Sequence, residues 1–261
     1  MGTDWLKLWH DLAVSSYRSR YSEGTVSHKG HRRKVERPDP LLDFVLRDIS
    51  SEETVLEIGP GNGRWTIPLA KATKNVTAVE PSETMLNILK ENVAAAKVSN
   101  IQILPASWEN ASVQPHDVVI SAHGMYSSPD FAAFVHKMEQ HSNKRCYLAI
   151  RLPPSDGIIG ELSIAIYGHY YDSPNAIIAY NALYSMGIYA NVLIEGSVHH
   201  WVNSSIEEAF VRAKRHLRME QSTAYDTLIR ETLTRRLIHA NDSYRWPDGM
   251  RSALLWWICN H

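Results

Sequence analysis

The residues best placed to do chemistry are Glu57, Gly59, Gly61 and Gly63 in the stretch TVLEIGPGNGRW, residues 54–65, followed by Glu80 in VTAVEPSETML. An apolar, β-rich run leads straight into three glycines at alternate positions, with an acidic residue two places before the first. A dinucleotide site spaces its glycines Gly-x-Gly-x-x-Gly, so that a helix N-terminus can approach a pyrophosphate. Here the spacing is Gly-x-Gly-x-Gly. It leaves a broad gap for an amino acid moiety, and Glu57 supplies negative charge where a ligand ammonium approaches directly or through water. That combination suits a zwitterionic, sulfonium-bearing ligand better than a pyrophosphate, although glycines alone also serve a purely structural bend. Glu80 stands 17 residues beyond Gly63, at the end of the next strand candidate. A carboxylate there can accept both hydrogen bonds of a ribose diol, and charged acceptors make such bonds strong.

These side chains need an open sheet to position them, since ligands bind beyond the carboxyl ends of parallel strands where strand order reverses. The chain supplies the pattern. TVLEI, NVTAVE, IQILPA, DVVISA and RCYLAIRL read as five strands alternating with helices, which predicts a mostly parallel sheet covered on both faces. One helix falls near 63–72. The next follows Ser82 as N-cap, with Met85, Leu89 and Val93 on one face, and a third carries Phe131, Phe134, Val135 and Met138. Further on, Ser173 reads as N-cap, Pro174 as the first helical position and Gly187 as the stop. YANVLI and SALLWWICN supply a sixth and a last strand. Residues 1–50 and 200–250 read as helical additions to a 51–261 core, the second carrying the stripe Ile206, Phe210, Ala213 and Leu217.

Three segments, VLEIGPGNG, VEPSETML and DVVISAHG, together resemble the first, second and fourth motifs of the class I S-adenosylmethionine-dependent methyltransferases. The resemblance covers 53–151 well, 174–261 in outline and 1–40 poorly. It implies an α/β fold: a doubly wound, mostly parallel seven-stranded, Rossmann-like sheet with a helical N-terminal cap over 1–50 and a helical insertion at 200–250 before the last strand. It also implies S-adenosyl-L-methionine as cofactor. Gly59, Gly61, Asn62 and Gly63 would then line the methionine and ribose beside Glu57, with Glu80 on the hydroxyls and Pro81 and Met85 near the adenine. The loop LPASWENA occupies the place where the family usually carries an acidic reader of the adenine amino group. Here Ser107 or Trp108 holds that position, with Glu109 following, so Ser107 would replace the carboxylate and Trp108 would offer an apolar wall. Ser121 and Ala122 would lie beside the methyl group, with His123, Tyr126 and Tyr17 as candidate catalytic residues.

The acceptor is bounded mainly by exclusion. A formal net charge of −1 and a pI near 6.9 give no global field for a polyanion, which disfavours nucleic acid, while the basic run HKGHRRKVER at 28–37 is a local exception. SAHGMY stands where an adenine-N6 or glutamine methylase carries Asn/Asp-Pro-Pro-Tyr/Phe, and no Pro-Cys nucleophile occurs. A small-molecule methyl acceptor is therefore expected. An RNA or protein methyltransferase and a non-catalytic binding protein are the alternatives, and a homodimer contact is one reading of the insertion. No 18-residue apolar run or secretory leader is legible, so a cytoplasmic location without membrane contact is expected. HYYD at 169–172 and the pair His199–His200 have no matching ligand spacing, so no metal is expected. Cys146 and Cys259 sit in apolar runs and read as small buried hydrophobes.

Overall fold

The computed structural model describes residues 2–21, 39–153, 157–168, 173–196 and 199–259. The basic run at 28–37 and HYYD at 169–172 lie outside the described residues. Five strands, β1 (Thr54–Ile58), β2 (Asn75–Val79), β3 (Ile101–Leu104), β4 (His116–Ala122) and β5 (Ser142–Leu152), pair in parallel. Two more, β6 (Asn191–Ile194) and β9 (Ser243–Ile258), complete the order β3-β2-β1-β4-β5-β9-β6, with β9 antiparallel to both neighbours. This is the seven-stranded, mostly parallel sheet that the resemblance implies, its parallel part being the five strands that the alternating pattern predicts. Strand order reverses at β1, which pairs with β2 on one side and β4 on the other, so β1 and β4 open a crevice at their carboxyl ends.

Alternate residues of the central strands face opposite layers, which is why these runs are apolar throughout. Leu56, Ile58, Val119, Leu148 and Ile150 pack with Trp9 of α1 (Trp5–Tyr21), with α5 (Phe131–Gln140) and with α7 (Ala176–Ser185). Val55, Val118, Ile120, Tyr147 and Ala149 pack against α2 (Pro40–Asp48) and α3 (Thr66–Ala72). The two helices of the 1–50 segment thus lie on opposite faces of the sheet.

Several local readings shift. The helix expected near 63–72 starts at Thr66, and α4 (Glu83–Ala96) does begin after a Ser82 N-cap, but its buried residues are Leu86, Ile88 and Leu89, with Met85 and Val93 half-buried. The cap of α7 is Asn175, whose side chain accepts from the Ile177 and Ile178 N–H groups at 3.0 and 3.2 Å; Ser173 instead binds Arg151. Gly187, at φ +79°, follows that helix as expected. The last strand begins at Ser243 rather than Ser252. Its added length pairs with two short strands, β7 (His199–Asn203) and β8 (Ile238–Ala240), so the insertion is part sheet as well as helix. Its helices α8 (Ile206–Leu217) and α9 (Asp226–Arg236) join α6 (Ile158–Tyr167) in a third core around Phe210, Leu217, Leu233 and Trp246. The sequence reading assigned no element to α6, a mostly apolar segment without a polar stripe.

Candidate functional site

The crevice is built from backbone as much as from side chains. Gly59, Gly61 and Gly63 all take positive φ, +71°, +57° and +88°, which ordinary residues adopt only at a cost. Their surroundings differ. A Cβ on Gly59 would sit 2.8 Å from Gly124 Cα, so the turn after β1 and the turn after β4 touch backbone to backbone. A Cβ on Gly63 would meet Leu89 of α4 at 2.8 Å, whereas one on Gly61 would meet nothing within 4 Å. Only Gly61 opens onto space. The gap is therefore narrower in sequence than three glycines suggest: two close the packing and one faces outward.

Glu57 lies on β1, about 1% exposed, and its Oε2 has no hydrogen-bond partner among the described residues. Burial raises its pKa from an ordinary 4.5 to about 7, against the influence of nearby Thr66 and Arg64, while Glu80 adds like charge. Arg64 is itself ion-paired to Asp39 at the start of α2, and the Trp65 indole N–H also donates to Asp39 at 2.9 Å. Glu80 is buried beyond β2, where Oε2 accepts from the Gly61 N–H at 3.1 Å and Oε1 from the Ser82 N–H at 2.9 Å. Burial raises its pKa, and those two N–H donors pull it back. A carboxylate offers about four lone-pair sites, so each Glu80 oxygen retains one after these bonds. Asn62 turns inward locally, its Oδ1 accepting from the Arg64 N–H at 3.2 Å and its carbonyl accepting from Asn92 Nδ2 at 2.7 Å. Pro81 is exposed at the mouth of the second turn.

Beyond β3 the two candidates separate. Ser107 is half-buried in the loop, and its carbonyl accepts from Ala111 N–H at 2.9 Å. Trp108 is 4% exposed and offers no free face as a wall. Its indole N–H donates to Phe134 O at 3.2 Å, Phe134 and His141 meet it edge-on, and Lys137 Nζ lies 4.6 Å from the ring centroid. The reason is the amphipathic stripe of α5, which needs a large apolar partner. Glu109 is exposed and accepts from Ser128 Oγ at 2.8 Å.

At the end of β4, Ser121 is fully buried and donates to Ile58 O at 3.0 Å, which ties the two central strands at the crevice floor; Ala122 is half-buried beside it. His123 takes φ +61°, an uncommon conformation for a side-chain-bearing residue and one associated with functional turns. Its Nδ1 lies 2.9 Å from Tyr126 Oη and its Nε2 3.5 Å from Ser252 Oγ. The Arg151 backbone N–H donates to the same Tyr126 oxygen at 2.7 Å. The structure brings His123 and Tyr126 together. It also adds two residues that sequence reading missed, Arg151 and Ser252, which are directly opposed in the β5–β9 ladder. Only the strand register could have revealed them. Tyr17 is on α1, but its side chain lies outside the described residues, as does that of His199. His200 Nδ1 lies 2.8 Å from Trp246 O. Among the described residues no three His, Cys, Asp or Glu side chains gather to hold a metal, and no helix is long and apolar enough to cross a membrane.

The residues present fit an S-adenosyl cofactor on two observations of this chain: an orphaned carboxylate oxygen buried on the strand that leads into the glycine turn, and open space at Gly61, whose N–H is bound to a second carboxylate with lone pairs to spare. Residues 55–144 match a family model described as a methyltransferase domain. A probable ribosomal RNA small subunit methyltransferase A from Methanosphaera stadtmanae is 36% identical over 85 residues, covering 32% of this chain and 31% of that protein. The chain thus spans about a third or less of the length of the first curated relatives it matches. The YcgJ protein of Bacillus subtilis superposes with TM-score 0.56 at 13% identity, covering 85% of this chain and 99% of that one. Coclaurine N-methyltransferase bound to N-methylheliamine and S-adenosylhomocysteine gives TM-score 0.52 at 14% identity, covering 98% and 89%.

Proposed function

We propose that this chain, whose residues 55–144 form a class I S-adenosylmethionine-dependent methyltransferase domain, transfers the methyl group of that cofactor to a small-molecule acceptor. The observation that carries the reading is Glu57: a buried carboxylate with an unsatisfied oxygen, on the strand that leads into the turn whose Gly61 has open space beside it. When bound, the cofactor supplies an electrophilic methyl group on a sulfonium, so the hard chemistry is not the protein's to perform. Glu57 would hold the ammonium as a carboxylate, its proton passing to solvent on ionisation. Glu80 would accept from the ribose hydroxyls with its two remaining lone pairs, its bonds to Gly61 and Ser82 keeping it fixed. Pro81, Met85 and Ser107 would border the adenine, Asn62 shapes the turn, and Gly59 packs against Gly124.

On the acceptor side, His123 and Tyr126 stand at the end of β4. Tyr126 Oη is held by the Arg151 N–H and sets the orientation of the His123 ring; His123 Nε2, facing Ser252 Oγ, is the atom at which a proton is held or taken. Alignment of the acceptor for in-line attack is worth about 7–11 kcal/mol of barrier, more than the roughly 10²–10⁴-fold of a general base. Positioning therefore dominates. An RNA acceptor is the reading that the Methanosphaera relative suggests, but that likeness spans 85 residues, 32% of this chain and 31% of that protein, and SAHGMY stands where an adenine-methylase signature would. The test is incubation of the full chain with methyl-labelled cofactor and a panel of small acceptors, tRNA and rRNA fragments, reading S-adenosylhomocysteine. Labelled small product supports the proposal. Labelled RNA alone, or methylthioadenosine in place of S-adenosylhomocysteine, overturns it.

A further inference from the structure

Residues 173–194 contain no acidic or basic side chain and no histidine, in a chain of which 21% is Asp, Glu, Lys or Arg. They fold as α7 and then as β6, the last strand of the sheet order. α7 buries Ala179, Ala182 and Leu183, yet its opposite face is not polar. Ile177, Tyr180 and Tyr184 recur there at helical spacing, and Tyr184 meets Tyr189 edge-on with ring centroids 5.7 Å apart, which ties this face to the chain entering β6. Val192 and Ile194 continue the surface. Their ladder partners, Leu255 and Ala253, belong to the core that α7 covers, so both side chains project on the α7 side of the sheet. These six residues are 36–75% exposed. Together they offer roughly 600 Å² of surface, and a soluble monomer rarely leaves so large an apolar patch uncovered.

The backbone of β6 is open along the same border. The Glu195 N–H donates to Ser252 O at 3.0 Å, one step past the Ile194–Ala253 pair. Bonded and non-bonded pairs alternate in an antiparallel ladder, so Asn191 and Leu193 direct their N–H and C=O groups toward β9, while Val192 and Ile194 turn theirs outward. Among the described residues β6 pairs with no strand but β9. Charge, proline or a bulge usually shields such an edge, and residues 191–194 carry none of these.

We propose that this border joins two copies of the chain. β6 pairs antiparallel with β6 of the second copy, Val192 opposite Ile194 and Leu193 on the two-fold axis, and the tyrosines of the two α7 helices close over the joint. A second copy is favoured over an unrelated protein because the register is self-complementary: the outward groups of Val192 and Ile194 meet those of Ile194 and Val192 across the axis, which is what an isologous contact requires. The area agrees. A standard interface takes about 800 Å² from each partner, and the six side chains supply most of it before the strand itself is counted. Tyrosines without charged neighbours are also the composition of an interface core. The self-contact thus falls on α7 and β6, away from the 200–250 insertion.

The experiment is sedimentation velocity of the full chain across about 0.01–100 µM, a range that shifts a monomer–dimer equilibrium by mass action, with residue-resolved hydrogen exchange at the upper end. Ile194→Pro removes one outward N–H and no bond to β9, a change that edge strands accept. Tyr184→Lys puts charge on the exposed face of α7, and Val211→Lys puts the same charge on an exposed apolar site of α8. Wild type should be dimeric at the upper concentration, with the Val192 and Ile194 amides exchanging within tenfold of Leu193, whose N–H lies in the β9 ladder. Ile194→Pro and Tyr184→Lys should each weaken the dimer tenfold or more, and Val211→Lys less than twofold. A wild-type monomer throughout, or a dimer that survives unchanged in whichever of the first two variants folds, overturns the inference. So does a dimer whose Val192 and Ile194 amides exchange more than tenfold faster than Leu193, a result that needs no variant. An open-ended polymer overturns the two-fold register.

Discussion

Replacing Glu57 by Gln should make the ligand-free protein more stable at high pH and leave it a poorer binder. A carboxyl whose folded pKa is raised from 4.5 to about 7 is protonated in both states below pH 4.5 and imposes no penalty there. As pH rises through that window the unfolded chain ionises first, so stability falls, and above pH 7 the loss levels off at about 3 kcal/mol, at roughly 1.4 kcal/mol per pH unit of displacement. The side chain is about 1% exposed, so solvent screening does not reduce the figure. Urea unfolding of wild type and Glu57→Gln at pH 5 and pH 8 isolates the effect, because any constant cost of the amide cancels in the pH-dependent part. The Gln variant should gain about 2–3 kcal/mol on wild type between the two pH values. A cationic ligand stabilises the ionised carboxylate, so wild-type affinity for S-adenosylmethionine should climb between pH 6 and pH 8 with proton release, and the variant's should stay flat. Parallel stability curves for the two proteins, or a gain that grows toward low pH, would refute the burial argument.

Other substitutions separate packing from binding. Gly59→Ala forces a Cβ to within 2.8 Å of the Gly124 backbone at φ +71°, and should cost more than about 2 kcal/mol in denaturant unfolding; Gly61→Ala meets open space and should cost about 1–2 kcal/mol, the left-handed penalty alone, while cofactor affinity drops. Equal losses in the two would contradict the contact map of the turn. Glu80→Ala leaves the Gly61 and Ser82 N–H groups without acceptors and should destabilise by about 2–4 kcal/mol, whereas Glu80→Gln should fold better and still lose cofactor affinity by calorimetry. Trp108→Phe should lower the melting temperature through loss of the bond to Phe134 O yet leave cofactor affinity within about twofold; a larger affinity loss would restore the residue to the adenine pocket.

The parallel part of the sheet was legible because β1 to β5 are apolar runs bounded by turn residues, and the helix patterns between most of them favour parallel pairing. The approach of Glu80 to the glycine turn, where it accepts from the Gly61 N–H, was legible because spacing along one strand–helix–strand unit is a local property. Trp108 misled because its loop position matched a family role while its bulk answered to Phe134 and Lys137, partners 26 and 29 residues away in the chain. Arg151 and Ser252 were invisible for a related reason: they meet only through the antiparallel register of β5 and β9, which no local pattern encodes. The strands β7 and β8 escaped because they are short and find their partner in residues 243–250, a stretch whose Pro247 and Gly249 argue against strand when read alone.

The length of β9 also limits how the insertion can move. Residues 243–250 pair with β7 and β8, and residues 251–258 continue without a break into pairing with β5, with β6 alongside. A flap needs a flexible strap at each root, and here one root is a hydrogen-bonded beam shared with the central sheet. The segment built on β7, β8, α8 and α9 is therefore expected to move as a cantilever bends, by small angles distributed along the strand, rather than to swing as a hinged flap. Ser252, beside His123, lies just past the support, where the arc of such bending is shortest.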